Sequence, residues 1–127
     1  MAHSKHHEHL IKELTEQLES IFSNSPQGIY LYLDDVHKTC NKKFSEMLGY
    51  KSPGEWVKNE YPVSDVLEKD QEKVINAYGE ASRKLKASTL SAICVRKDGK
   101  KINTKIIMAP ISYKGEVFVL HFVSEEK

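Results

Sequence analysis

The chain has 127 residues, which suits one domain with a single core. Lys and Arg total 19 and Asp and Glu total 18, so the formal charge is +1. This balance, without interleaved basic and aromatic residues, argues against nucleic-acid binding, and no apolar run reaches the roughly 20 residues of a membrane span. Because the first residues also lack a secretory signal, we expect a soluble, cytoplasmic domain.

Residues 6–22 predict an amphipathic helix, because Ile11, Leu14, Leu18 and Ile21 recur three or four residues apart. We assign residues 1–22 to a flanking helix and residues 23–127 to the domain proper. The apolar stripe fits either a coiled-coil seam or a lid over one face of a sheet. We expect it to contribute to a homodimer interface.

The N-terminal segment is rich in histidine, with His3, His6, His7 and His9. Pairs three or four residues apart have a spacing that can bind a transition metal on a helix. An exposed terminus with adventitious affinity is the interpretation adopted here. The sequence therefore assigns no metal site.

Strands are predicted next at residues 29–33, where aliphatic and aromatic residues alternate, and at residues 36–40. Asn41 is predicted to cap a short helix, and Ser52 a second one. A longer helix is expected to follow a cap at Asp70.

Three strands are predicted at residues 90–96, 102–111 and 117–123. Asp98 and Gly99 predict a two-residue type I′ turn between the first two. The last run is apolar on both faces except at His121, so both faces must be covered. The sequence thus predicts an α+β domain around an antiparallel meander.

Three segments resemble the PAS domain family over about residues 21–123. They are Ser25-Pro26-Gln27-Gly28-Ile29, then Asn41 with Phe44 and Leu48-Gly49-Tyr50, and Arg96-Lys97-Asp98-Gly99-Lys100. The resemblance implies a PAS-like (profilin-like) five-stranded antiparallel sheet with adjacent first and last strands. Short helices would cover one face and the N-terminal helix the other.

The resemblance also implies a sensory function in signal transduction. A small ligand or cofactor would bind between sheet and helices, and the signal would pass through dimer or partner contacts. No kinase, cyclase or DNA-binding segment is present in the sequence, so the output is expected in a separate protein. The alternative is a ligand-free interaction or dimerisation module with a closed core.

Haem is disfavoured, because the long helix lacks the histidine that many members of the family use. A photoactive flavin is disfavoured because Cys40 lies outside the motif that light-sensing members of the family use. A redox flavin and a small apolar ligand are the remaining candidate ligands. An enzyme is not expected, because Asp34 and Asp35 are adjacent turn residues and no phosphate loop or metal-ligand spacing accompanies them.

The candidate ligand pocket comprises apolar side chains between sheet and helices and three polar ones that could orient a ligand. These residues are Asn41, Phe44, Leu48, Val74, Ile75, Tyr78, Ile93, Thr104, Ile106 and Met108.

Overall fold

The computed structural model describes residues 2–126, and their side chains from Lys5 onward. The chain begins with two helices, two strands and two short helices. A 3₁₀ turn, a long helix and three strands follow. The elements are α1 (Ala2–Gln17), α2 (Glu19–Asn24), β1 (Gly28–Tyr32), β2 (Lys38–Cys40), α3 (Lys42–Met47), α4 (Pro53–Val57), the 3₁₀ turn (Pro62–Asp65), α5 (Glu68–Lys84), β3 (Ser88–Val95), β4 (Lys101–Tyr113) and β5 (Glu116–Glu125). Across residues 2–126, no helix combines the length and the apolar character that crossing a bilayer requires.

The strands form one antiparallel sheet in the order β2, β1, β5, β4, β3. The first and last strands are adjacent, and Tyr30 of β1 pairs with His121 of β5. This confirms the predicted five-stranded α+β architecture.

Each face of the sheet carries its own apolar core. On one face, α3, α4 and α5 enclose a cluster that includes Phe44, Trp56 and Val119. On the other face, Leu10 and Leu14 of α1 form a second cluster. Their neighbours there are Ile29, Leu31, Phe118 and Leu120 of the central strands. Both faces of β1 and β5 are therefore covered, as their apolar sequences require.

The N-terminal helix differs from the continuous helix predicted over residues 6–22. It ends at Gln17, and Leu18 has non-helical dihedral angles (φ −95°, ψ 6°) before α2 begins. Within the chain the stripe acts as a lid, because Leu14 is buried against the sheet. Ile11 and Leu18 are partly buried there, whereas Ile21 is 45% exposed.

The type I′ turn lies in a different hairpin from the predicted one. Lys114 (φ 48°) and Gly115 (φ 85°) both have positive φ and join β4 to β5. In the hairpin at Asp98, only Gly99 has positive φ, at 90°. The Asp98 carboxylate accepts the Lys100 N–H at 3.0 Å, which favours a longer loop.

The predicted cap at Asp70 is also wrong. Helix α5 begins at Glu68, two residues before Asp70, and Leu67 occupies the cap position without a side-chain hydrogen bond. The Asp70 carboxylate instead accepts the Ile93 N–H at 2.7 Å. It thereby joins the first turn of α5 to the edge strand β3.

Asn41 joins three segments through its buried side chain. Its Oδ1 accepts the N–H groups of Phe44 and Ile29, both at 2.9 Å, which caps α3 and fixes the start of β1. Its Nδ2 donates to the carbonyls of Phe22 at 3.2 Å and Gln27 at 3.1 Å. The predicted cap is confirmed, and the side chain has a structural role.

We predict that Asn41→Ala lowers the free energy of unfolding by about 3 kcal/mol, because it removes a helix cap and leaves buried backbone groups unpaired. Ser52→Ala is the matched control. The Ser52 hydroxyl caps α4 by accepting the Glu55 N–H at 3.2 Å in an exposed position. Its loss should cost only about 1 kcal/mol in urea unfolding. Equal effects of the two substitutions would contradict the role of Asn41.

Candidate functional site

A cavity of about 340 Å³ lies between the sheet and α5. Its volume is at the lower end of the range for small-molecule sites, which is roughly 300 to 1,000 Å³. It is bounded by the sheet, the turn after β1, the 3₁₀ turn and α5. The lining residues are Tyr30, Tyr32, Asp35, Tyr61, Pro62, Val63, Val66, Val74, Ile75, Tyr78 and His121.

Aromatic rings form the sheet side of the cavity. The rings of Tyr30 and His121 stack with centroids 3.9 Å apart and an interplanar angle of 11°. Tyr78 of α5 meets Tyr32 edge to face, with centroids 5.0 Å apart. Because β side chains alternate between faces, Tyr30 and Tyr32 line the cavity while Ile29 and Leu31 pack beneath α1.

His121 is a neutral member of this wall. It is buried, and its Nδ1–H donates to the Val119 carbonyl oxygen at 3.0 Å. Burial lowers the pKa of His121 to about 3, against a usual value of 6.5, because a charged imidazolium would lose its hydration. At neutral pH the ring is therefore uncharged where it stacks on Tyr30.

Two of the four tyrosines that line the cavity bond to the protein itself through their hydroxyls. Tyr32 donates to the Asp35 carboxylate, and Tyr78 donates to the Leu33 carbonyl oxygen at 3.1 Å. Burial raises the pKa of both tyrosines, and the Asp35 carboxylate raises that of Tyr32 further. Both hydroxyls stay protonated at neutral pH, so the cavity favours stacking and apolar contact.

Three residues predicted for the pocket line this cavity, namely Val74, Ile75 and Tyr78. Asn41 instead holds the backbone segments described above, and Met108 is fully buried in the core.

Five other predicted pocket residues lie elsewhere. Phe44, Leu48 and Ile106 border a void of only about 20 Å³, which holds about one water molecule at most. Ile93 and Thr104 border an open groove of about 410 Å³ beside the edge strand β3. Thr104 donates its hydroxyl to the Ala92 carbonyl oxygen at 2.8 Å, so this side chain joins β3 to β4.

The sequence prediction missed the sheet side of the cavity, formed by Tyr30, Tyr32 and His121. The alternation of aliphatic and aromatic residues in β1 marked the difference between the two faces. His121 interrupts an otherwise apolar strand on the same face as Tyr30. Combining these two patterns could have placed the site.

A model of the PAS domain family matches residues 18–125 of the chain. A search of the curated proteins found no match to this chain.

Several solved structures share the fold. The PAS domain of an HTR-like protein from Haloarcula marismortui is 22% identical, with a TM-score of 0.67, and the match covers 96% of this chain and 99% of that one. A PAS domain from Colwellia psychrerythraea is 18% identical, with a TM-score of 0.72 and coverages of 89% and 97%. The Rhodobacter sphaeroides LOV protein is 12% identical, with a TM-score of 0.70 and coverages of 91% and 68%.

The family match spans most of the chain, and these structures share its five-stranded sheet and surrounding helices. The chain belongs to the PAS domain family of sensory modules.

Proposed function

We propose that this PAS domain senses a small, planar and largely apolar ligand bound in the cavity beside α5, and that it passes the signal to α1. The observation that carries this proposal is the aromatic wall of a cavity of about 340 Å³. A flat ligand can lie against the paired Tyr30 and His121 rings, with Tyr78 at its edge. Such aromatic contacts contribute about 0.5–1.5 kcal/mol each beyond the burial of area.

The charge of the site supports a ligand without a negative charge. The Asp35 carboxylate lines the cavity and bonds to Tyr32, while His121 is neutral. The Asp35 carboxylate would repel an anionic ligand, and the neutral His121 would supply no positive charge to offset it. Burying an unpaired charge is unfavourable. A neutral aromatic molecule avoids this cost.

A route to α1 follows from the alternation of the central strands. In β1, Tyr30 touches the cavity while its neighbours Ile29 and Leu31 pack with Leu10 and Leu14 of α1. A ligand that moves Tyr30 by a few tenths of an ångström displaces the same backbone that supports α1. Packed interiors transmit such shifts because they contain few voids.

A binding function is favoured over catalysis by the polar groups of the site. Among the described residues that line the cavity, Asp35 bonds to Tyr32 and His121 bonds to a backbone carbonyl. The raised pKa of Tyr32 keeps its hydroxyl protonated beside Asp35, so neither arrangement presents an activated nucleophile. We therefore propose a non-enzymatic module.

Contact with another protein is the second candidate function. Ile21 is 45% exposed beside the partly buried Leu18, so this end of the flanking helix offers an apolar surface. Homodimerisation through α1 and α2 stays a prediction. The Leu14 side chain is already buried against the sheet, so Ile11, Leu18 and Ile21 are the residues left for such an interface. Cytoplasmic location and a separate output protein also stay predictions.

We predict that Ile75→Trp blocks the cavity. Ile75 lines it but is 53% exposed, so the larger ring can enter the opening without overfilling the core. Binding of the neutral fluorescent probe N-phenylnaphthylamine, followed by fluorescence titration, should weaken at least about tenfold, or 1.4 kcal/mol.

Leu85→Trp is the matched control for this titration. Leu85 is 56% exposed and follows the end of α5, outside the cavity lining. The control should bind the probe as the wild-type protein does. Equal binding by the Ile75 variant, or no saturable binding by the wild-type protein, would count against the cavity as a ligand site.

We further predict that His121 makes stability depend on pH. Its folded pKa lies below its unfolded value, so its stabilising contribution is complete above about pH 6.5 and is lost as the pH falls toward 3. His121→Phe should flatten the decline in unfolding free energy between these values by up to about 1.4 kcal/mol per pH unit. The control His9→Gln, at a side chain 71% exposed, should follow the wild-type protein. Parallel curves for all three proteins would refute the neutral, buried assignment.

A further inference from the structure

A cluster of metal-ligating side chains lies where α1 crosses the turn after β1, outside the aromatic cavity. It contains His7 of α1 with Asp34 and His37 of the turn. Glu116, at the start of β5, lies beside His7. The cluster is partly sheltered, because the His7 and His37 side chains are 20% and 11% exposed.

The distances in the cluster suit a small transition-metal ion. One potential ligand atom from each of the three residues lies within 4.8 Å of the other two. His37 Nδ1 is 2.8 and 3.0 Å from the two Asp34 oxygens, and His7 Nδ1 is 3.7 Å from Asp34 Oδ2. Ligands about 2.0–2.1 Å from a tetrahedral zinc ion are roughly 3.3 Å apart. The distances from Asp34 to the two histidines lie within about 0.5 Å of this value, and the His7 and His37 ligand atoms, at most 4.8 Å apart, would draw together around the ion.

The groups around the cluster orient the ligands. Glu116 Oε1 is 3.0 Å from His7 Nε2, so Nε2–H can donate to this carboxylate while Nδ1 faces Asp34. In zinc sites, the ring N–H that does not face the metal commonly donates to a carboxylate in this way. The N–H groups of Val36 and His37 donate to Asp34 Oδ1 at 2.9 and 2.7 Å. These bonds fix the carboxylate with its other oxygen toward His7.

We propose that His7, Asp34 and His37 bind one zinc ion, with Glu116 positioning His7. Two imidazoles and a carboxylate form a ligand set that zinc accepts, and a fourth position would be left for water. The ion would fasten the first half of α1 to the turn after β1. Metal binding would thus stabilise the attachment of the flanking helix to the domain.

The test is zinc binding by the full chain after treatment with a chelator. Isothermal titration should show one zinc ion per chain. Cobalt substituted for zinc should give the intense visible absorption of a four-coordinate site. His37→Gln should weaken zinc binding by at least about 100-fold, and Glu116→Gln by about tenfold.

The histidine-rich terminus requires a matched control. The double variant His6→Gln with His9→Gln removes two histidines outside the cluster and should bind zinc as the wild-type protein does. If His37→Gln does not fold, as judged by circular dichroism without metal, His7→Gln replaces it, because His7 lies on the sheet-covering helix and outside both apolar clusters. The absence of stoichiometric binding would overturn the proposal. So would wild-type affinity in the His37 or His7 variant, or loss of binding in the double variant.

Discussion

The pairing of β1 with β5 is the constraint on which the rest of the molecule depends. These strands occupy the middle of the sheet and carry apolar side chains on both faces, so each face needs its own cover. Helices α3 to α5 supply one cover and α1 the other. The flanking helix is therefore part of the domain's packing. Without the central strands, the apolar side chains of Leu10 and Leu14 would be exposed to water.

The same pairing places the candidate site and its connection to the flanking helix. Tyr30 and His121 are register partners and stack on the face toward α5, where the packing leaves a cavity. The intervening residues of both strands support α1. A ligand in the cavity would thus contact one face of this strand pair while α1 packs on the other, which suits the proposed sensory role. The zinc site proposed between α1 and the turn after β1 would strengthen that attachment from a second point.

The fold could be predicted from the sequence because local patterns determine it: strand alternation, the Asn41 cap and the double-faced last strand all agree. The exact turn types and the open volume could not. The Asp98 carboxylate accepts the Lys100 N–H, and only Gly99 in this hairpin has positive φ. The Asp98–Gly99 pair in the sequence does not show which of its turns the side-chain bond will favour. The ring of Phe44 belongs to a filled core that leaves a void of only about 20 Å³. The sequence could not show whether Phe44 would line an open pocket or fill the core, because the same apolar residue types serve both roles. The cluster at His7 joins residues far apart in the chain, so spacing along the sequence could not indicate it.

The most direct measurement is an amide NMR spectrum recorded with and without N-phenylnaphthylamine. If the cavity and the flanking helix are joined through the central strands, amides around Tyr30 and His121 will shift, and amides around Leu10 and Leu14 of α1 will shift at the same probe concentrations. Shifts confined to α5 or to the groove beside Ile93, with α1 unchanged, would contradict a sensor that works through β1 and β5.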